Sequence, residues 1–425
     1  MATLALIFIL GYVLIALEHK IKIDKAGTAL FLGVLLWLLL ALQTENLPET
    51  LHHLKEHFED IAEILFFLLG AMTIVELIDS HNGFGIIQRV VRIRSKTGLL
   101  WTLSVLTFFL SAVLDNLTTT IVMMAIIKKF MTKREELWFF AGFIIIAANA
   151  GGAWSPIGDV TTIMLWNAGH VTTGTIITET FLPSVACLLV PLALASFKFR
   201  GLAVEPLDEG SKEIQPLKEK ESNLILLLGV ILLLMVPVFK AVTHLPPFMG
   251  MLFSLSVFWV ITEIIHRKKP TEIRHKLTVA ATIQRIDTPS ILFFLGILLA
   301  VASLEANGSL LVLGETLESS FSDFHMTNTL LGLLSAIIDN VPLVAGAMGM
   351  YSMEVYPQDH EFWTFLAYCA GTGGSVLIIG SAAGVAAMGI LKIDFVWYLR
   401  RIAWLALVGY LSGIIVFLMH KGHIM

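Results

Sequence analysis

Long apolar runs separated by short polar segments fill this sequence from one end to the other. A membrane-spanning helix needs about twenty predominantly apolar residues, and several runs approach that length. The pattern predicts apolar helices over residues 2–17, 28–42, 61–79, 181–196, 223–239, 247–265 and 402–419. The first run has no basic segment before it and no small-residue cleavage site after it, so we expect a retained helix. The hydropathy pattern therefore predicts an all-α polytopic membrane protein.

One further apolar stretch, about residues 99–129, has a different character. Its apolar part carries a single charged residue, Asp115, near the midpoint. The apolar arm on each side is too short for a full span, which favours a re-entrant hairpin with a polar tip. A carboxylate at membrane depth is costly, so its default interpretation is an ion or proton site.

The same motif occurs a second time, in about residues 327–353. Ser335, Asp339 and Asn340 repeat the Ser-x-x-x-Asp-Asn spacing that ends at Asp115 and Asn116. A lone polar residue satisfied within a helix bundle is the alternative interpretation, but it does not explain why the spacing occurs twice. We therefore expect two hairpins with matching polar tips.

Two other apolar stretches, about residues 137–166 and 362–390, are interrupted by glycines and polar residues, and the first also contains Pro156. Such breaks free backbone groups that lipid cannot satisfy, so they are tolerated where they line a site. A simple proline kink is the alternative, but it leaves a cluster of polar residues around the first break unexplained. These residues are Asn149, Ser155, Asp159, Thr161 and Thr162.

The two halves of the chain repeat one another at an offset of about 222 to 227 residues. We expect one repeat over residues 1–200, a polar cytoplasmic linker over 201–221 and a second repeat over 222–425. Short loops rich in Lys and Arg stay in the cytoplasm. Each half then contains about five membrane helices and one hairpin, and the odd number of crossings makes the repeats inverted. Inverted repeats with broken helices near the midplane are typical of secondary transporters.

Composition narrows the function further. The chain is 56% hydrophobic and 14% charged, with a net charge of −5, which argues against nucleic acid as a partner and leaves the lipid bilayer as the expected surroundings. The two cysteines lie in apolar spans, where a packing role is expected rather than a disulfide or a metal site. We expect neither an enzyme nor a bound cofactor.

Na⁺ is a hard cation that prefers oxygen ligands, which the tips and breaks supply. We expect one cluster from the first half and one from the second. The first would contain Asp115, Asn116, Thr118, Asn149, Ser155 and Asp159, and the second Asp339, Asn340, Ser335, Thr372, Ser375 and Ser381. Thr162 belongs with the first cluster, and Thr161 either joins it or, like Thr119 and Thr120, only bonds the backbone. Glu76 lies deep in the third span, whereas Glu63 and Asp79 lie near its ends, so Glu76 is the candidate for a proton path.

Desolvation favours the protonated form of a carboxylate, so H⁺ and Na⁺ can compete for one site. Competition at one site, combined with alternating access, is sufficient for exchange. Our hypothesis makes Asp115 the essential competitor, Asp339 a second one and Asp159 a ligand or gate. Residues 45–60 carry three histidines at helical spacing, which we interpret as a solvated helix face rather than a metal site.

The motifs around Glu76, Asp115, Asp159 and Asp339 together resemble the NhaD-type sodium/proton antiporters of the ion transporter superfamily. The resemblance covers nearly the whole chain. It implies a scaffold domain, a transport domain built from two hairpins and two broken helices, and a homodimer. It also implies exchange of Na⁺ or Li⁺ for H⁺ in the bacterial inner membrane.

Two other functions remain to be compared. Symporters and arsenite carriers share the superfamily fold, so an anion or arsenite transporter is the main alternative. Symporter relatives carry a neutral Ser-Asn-Thr at the hairpin tips, whereas this chain has Asp-Asn, and paired carboxylates would repel an anion. An intramembrane aspartyl protease also needs two membrane aspartates, but its Gly-x-Gly-Asp context is absent.

Overall fold

The computed structural model describes residues 2–16, 18–90, 93, 95–131, 133–203, 219–267, 269–270, 274, 277–321 and 323–423. Regular secondary structure in these ranges is helical. Eight of the described helices are long and apolar enough to cross a membrane, and the number rises to nine if one bent pair counts as a span. This confirms the predicted all-α polytopic class. Most of the predicted linker, residues 204–218, lies outside the described ranges.

The helices of the first half are α1 (Ala2–Ala16), α2 (Glu18–Ile21), α3 (Lys25–Gln43), α4 (Leu47–Ser80), α5 (Gly85–Val90), α6 (Lys96–Leu114), α7 (Asn116–Ile127), α8 (Arg134–Gly152), α9 (Val160–Asn167) and α10 (Thr173–Ser196). Those of the second half are α11 (Glu219–Thr243), α12 (Pro247–His266), α13 (Val279–Ile283), α14 (Thr288–Ala306), α15 (Ser309–Ser320), α16 (Phe324–Leu334), α17 (Asn340–Met350), α18 (Glu361–Gly373), α19 (Ala382–Leu391), α20 (Phe395–Arg401) and α21 (Ala403–His420).

Two helices are longer than the sequence pattern suggested. Helix α4 joins the histidine-rich segment to the third span in 34 continuous residues. At about 1.5 Å per residue it is about 51 Å long, so it projects beyond a hydrocarbon core of about 30 Å. Helix α6 has 19 residues and could cross a membrane by its length and composition. It begins at Lys96, three residues before the expected start, and the Ser95 side chain caps it. The expectation that both arms of the first hairpin are too short was wrong for α6.

The chain nevertheless turns back between α6 and α7. Lys96 at the start of α6 binds Glu136 of α8, with Nζ 2.7 Å from both carboxylate oxygens. Lys128, directly after α7, donates to the carbonyl of Ile390, and the Trp138 indole of α8 donates to the next carbonyl, Leu391. The beginning of α6 and the end of α7 therefore lie at the same end of the bundle, beside the start of α8.

The second hairpin, α16 and α17, opens elsewhere. Phe324 at the start of α16 and Tyr351 after α17 both contact Phe362 at the start of α18. This region adjoins the far end of the first broken helix, because Asp359 accepts a hydrogen bond from the backbone of Thr172. The two hairpins thus enter the bundle from opposite ends of the α8–α9 segment.

Glycines allow each broken helix to approach its hairpin. A Cβ on Gly151 of α8 would lie 2.1 Å from the carbonyl oxygen of Phe108 in α6. In the second half a Cβ on Gly373 of α18 would lie 1.9 Å from the carbonyl oxygen of Gly332 in α16. Both approaches are possible only without a side chain.

The substitution Gly373→Ala tests this packing. We expect overpacking to cost about 1–3 kcal/mol of stability, which exceeds the helix-propensity gain of up to about 1 kcal/mol. Gly389→Ala in α19 is the matched control, since a Cβ there meets nothing within 4 Å. Thermal unfolding in detergent should give a lower midpoint for Gly373→Ala and an unchanged or higher one for Gly389→Ala. Equal midpoints for the two variants would contradict the close approach.

Candidate ion site

The Asp159 carboxylate lies at the centre of the polar cluster between the hairpins. Asp159 is 1% exposed and caps the N-terminus of α9. Its Oδ1 accepts hydrogen bonds of 3.0 Å from both the backbone N–H and the hydroxyl of Thr161. Thr162 completes a capping box with the Asp159 backbone. The two threonines therefore hold the carboxylate, and the break in the helix positions it.

Each hairpin supplies one asparagine to this carboxylate. Asn116, the first residue of α7, donates from Nδ2 to Asp159 Oδ2 at 2.6 Å. Asn340, the first residue of α17, places Nδ2 3.3 Å from both Asp159 oxygens. The repeated Asp-Asn motif thus converges on a single carboxylate.

Asn149 links the two broken helices. Its Oδ1 accepts a 3.1 Å hydrogen bond from Asn116, and its Nδ2 donates to the hydroxyls of Ser375 and Ser381, both at 2.9 Å. The expectation of one cluster per half was therefore wrong, because the residues form one network. The breaks approach closely: a Cβ on Gly371 would lie 3.2 Å from the Ala153 Cβ.

The two hairpin aspartates lie beside this network and cap helices. Asp115 has a φ of 73° and accepts hydrogen bonds from the backbone and hydroxyl of Thr118, both at 2.7 Å. Asp339 accepts from the backbone of Val341, and its own N–H donates to the Tyr12 hydroxyl. Sequence reasoning missed Tyr12, although a tyrosine inside an otherwise apolar helix is a usable signal.

Three other predicted site residues connect backbone segments. Ser155 donates to the carbonyl of Ala112, and Ser335 donates to the carbonyl of Ala370. The Thr372 hydroxyl bonds the carbonyl four residues earlier in its own helix. The two serines therefore hold the hairpins against the broken helices, whereas Thr372 bonds only within its own helix.

Glu76 lies on a cavity that reaches the first hairpin. This cavity is also lined by Asp79, Thr118, Arg285 and Asp287. The Thr118 hydroxyl donates a hydrogen bond to Asp115, so the Thr118 side chain lies between the cavity and that aspartate. A second cavity borders Asp339, and its lining includes Tyr12, Glu18 and Lys25.

The direct partners of Asp159 are all neutral: two amides, a hydroxyl and a backbone N–H. Asp115 and Asp339 directly precede Asn116 and Asn340, the residues that contact Asp159, so each hairpin tip adds a carboxylate beside the site. A buried carboxylate with neutral partners and carboxylate neighbours attracts a cation or a proton.

Comparisons with known proteins identify the family of this chain. A family model described as "Citrate transporter" matches residues 12–364. "Sodium/proton antiporter 1" of Arabidopsis thaliana is 45% identical over 99% of this chain and 73% of its own length. "Sodium/proton antiporter 2" of the same plant is 43% identical over 98% of each chain. "Na(+)/H(+) antiporter NhaD" of Vibrio cholerae is 30% identical over 97% of this chain and 90% of its own.

These relatives are transporters rather than enzymes. The family model covers both hairpins and the first broken helix, and the two antiporter matches cover nearly the whole chain. The chain therefore belongs to the citrate transporter family and, within it, to the NhaD-type sodium/proton antiporters.

Proposed function

We propose that this protein exchanges Na⁺, or Li⁺, for H⁺ across a membrane, with Asp159 rather than Asp115 as the central carboxylate at which the ions compete. Asp115 and Asp339 then become secondary competitors. The observation that carries the proposal is the contact of one buried carboxylate with asparagines from both hairpins. Membership of the antiporter family supports the same ions. We expect Na⁺, Li⁺ and H⁺ to be transported ions, and we expect no bound cofactor.

The same side chains can serve a proton state and a sodium state. A half-turn of an asparagine amide exchanges its donor nitrogen with its acceptor oxygen. Asn116, Asn149 and Asn340 could therefore turn oxygens toward a cation held by Asp159. Either a proton or Na⁺ neutralises the carboxylate, and one excludes the other. Asp115 and Asp339 would add negative charge and further oxygen ligands from the hairpin tips.

We propose that protons reach Asp115 through the cavity lined by Glu76 and Thr118. The cavity near Asp339 is lined by Lys25, and the cavity near Asp115 is lined by Arg285. Both residues lie in the Lys- and Arg-rich segments that we expect on the cytoplasmic side, so both cavities would open there. The hairpin mouths lie at opposite ends of α8–α9, as expected for inverted repeats that alternate access to one site.

Because the matching family model is described as a citrate transporter, transport of an anion is the alternative function. Three aspartates around one buried site disfavour an anion, since like charges in a low dielectric repel strongly.

The multiple apolar spans indicate that the chain lies in a lipid bilayer. The bacterial inner membrane stays a prediction, because similar chains come from a plant as well as from bacteria. The homodimer also stays a prediction.

Asp159→Asn tests the central carboxylate. We expect everted vesicles with an acidified interior to lose their proton gradient on addition of NaCl with the wild-type protein, and to retain it with the variant. Asn keeps the ability to cap α9, so the fold should persist. Asp394→Asn is the control, because it neutralises an exposed helix cap at α20. Ordinary Na⁺-driven proton movement by Asp159→Asn would contradict the proposal.

Asp115→Asn tests the first hairpin tip separately. Asn has the same shape as Asp, so it can occupy this backbone conformation as Asp115 does and can cap α7, and we expect a folded protein. Proton movement in response to Na⁺ should be lost, because the carboxylate that Thr118 links to the Glu76 cavity is gone. If exchange continues at the wild-type rate, Asp115 is not a competitor for the ions.

Glu76→Gln tests the proton route. We expect a slower exchange rate with an unchanged apparent affinity for Na⁺, since Glu76 would deliver protons without binding the cation. Glu59→Gln, an exposed change on the same helix, should leave both quantities unchanged. Wild-type rates in Glu76→Gln at every pH would remove Glu76 from the route.

A further inference from the structure

Three side chains capable of binding a metal meet outside the ion site. They are His325 at the start of α16, Glu361 at the start of α18 and His423 after α21, and one ligand atom from each lies within 4.8 Å of the others. This cluster is at the mouth of the second hairpin, at the end of the bundle opposite the Lys- and Arg-rich loops. The sequence did not suggest it, because the three residues are far apart along the chain.

His325 is oriented as a metal ligand would be. Its Nδ1 lies 2.7 Å from the Asp323 carboxylate, which fixes the proton on that nitrogen. Its Nε2 therefore carries a lone pair, and this atom is buried without a hydrogen-bond partner. The nearest carboxylate oxygen, of Glu361, is 3.7 Å away, beyond hydrogen-bond range. An unpartnered buried nitrogen that faces a carboxylate points to a missing ligand.

His423 approaches from the other side. Its Nε2 lies 3.2 Å from both Glu361 oxygens, and its ring centroid is 4.5 Å from that of His325. Gly422 has a φ of 77° and allows the backbone of His423 to bond the carbonyl of Leu418. Lys421 binds Glu179 of α10, which further fixes the segment.

We propose that His325, Glu361 and His423 form a binding site for a divalent transition metal such as Zn²⁺, with Asp323 as the residue that orients His325. Two imidazoles and a carboxylate suit zinc, and three protein ligands leave a fourth position for water. Na⁺ prefers oxygen ligands, so this site is distinct from the transport site. Ligands of tetrahedral zinc lie about 3.3 Å apart, so the side chains move inward by about 1.5 Å or less on binding.

Bound metal would join three segments: the entry of the second hairpin, the start of α18 and the residues after α21. Because a ligand that binds the folded form stabilises it, Zn²⁺ should raise the unfolding temperature. The site goes beyond the proposed exchange activity, and Asp159→Asn should bind Zn²⁺ normally.

The experiment is a Zn²⁺ titration by calorimetry, using full-length protein purified in detergent without a histidine tag, together with Co²⁺ absorption in the visible range. We expect one metal ion per chain and a tetrahedral Co²⁺ spectrum. His325→Phe keeps the aromatic packing against Phe324 and Phe365 but removes the nitrogen, and should weaken binding at least about tenfold. His423→Ala should do the same.

His420→Ala is the control, since it removes a nearby exposed histidine that is not part of the cluster. It should leave the affinity and the Co²⁺ spectrum unchanged. Absence of saturable Zn²⁺ binding at neutral pH would overturn the proposal. Equal binding by the wild type, His325→Phe and His423→Ala would overturn it as well.

Discussion

A carboxylate buried in the middle of a membrane protein must be stabilised by its surroundings, and the arrangement of the helices around Asp159 follows from that requirement. Its partners are neutral donors, so its charge is solvated by dipoles but not cancelled. A basic partner would have fixed the carboxylate as a permanent ion pair. Neutral partners leave its charge available to whichever cation arrives, which is the property that exchange requires.

The backbone breaks make this arrangement possible. Two interrupted helices and two hairpin tips bring the ends of short helices together at one depth, and each end offers polar groups that a continuous helix would consume internally. Glycines such as Gly151 and Gly373 let these segments pack at backbone distance from the hairpins. The network from Asn116 through Asn149 to Ser381 then couples elements from both halves of the chain. A movement of either hairpin would therefore change the surroundings of Asp159.

Much of this could be predicted from the sequence, because membrane helices and their interruptions leave strong local signals. The apolar class, the broken helix around Asp159 and the two Asp-Asn tips follow from hydropathy and spacing. The joining of the two expected clusters into one network could not be predicted. It depends on a hydrogen bond between Asn149 and Ser375, which are 226 residues apart in the sequence. The continuous helix α4 was missed because a helix can leave the membrane without changing its backbone. The histidines at positions 325 and 423 come together only in the tertiary structure.

The most direct test is the dependence of the apparent Na⁺ affinity on pH, measured as initial rates of Na⁺ uptake into liposomes that contain the purified protein. If Na⁺ and H⁺ compete for one buried carboxylate, the apparent dissociation constant for Na⁺ should rise about tenfold per pH unit for each proton displaced, as the pH falls. Saturating Na⁺ should restore the maximal rate. An Na⁺ affinity that does not vary with pH, accompanied by a change in the maximal rate alone, would contradict competition at Asp159.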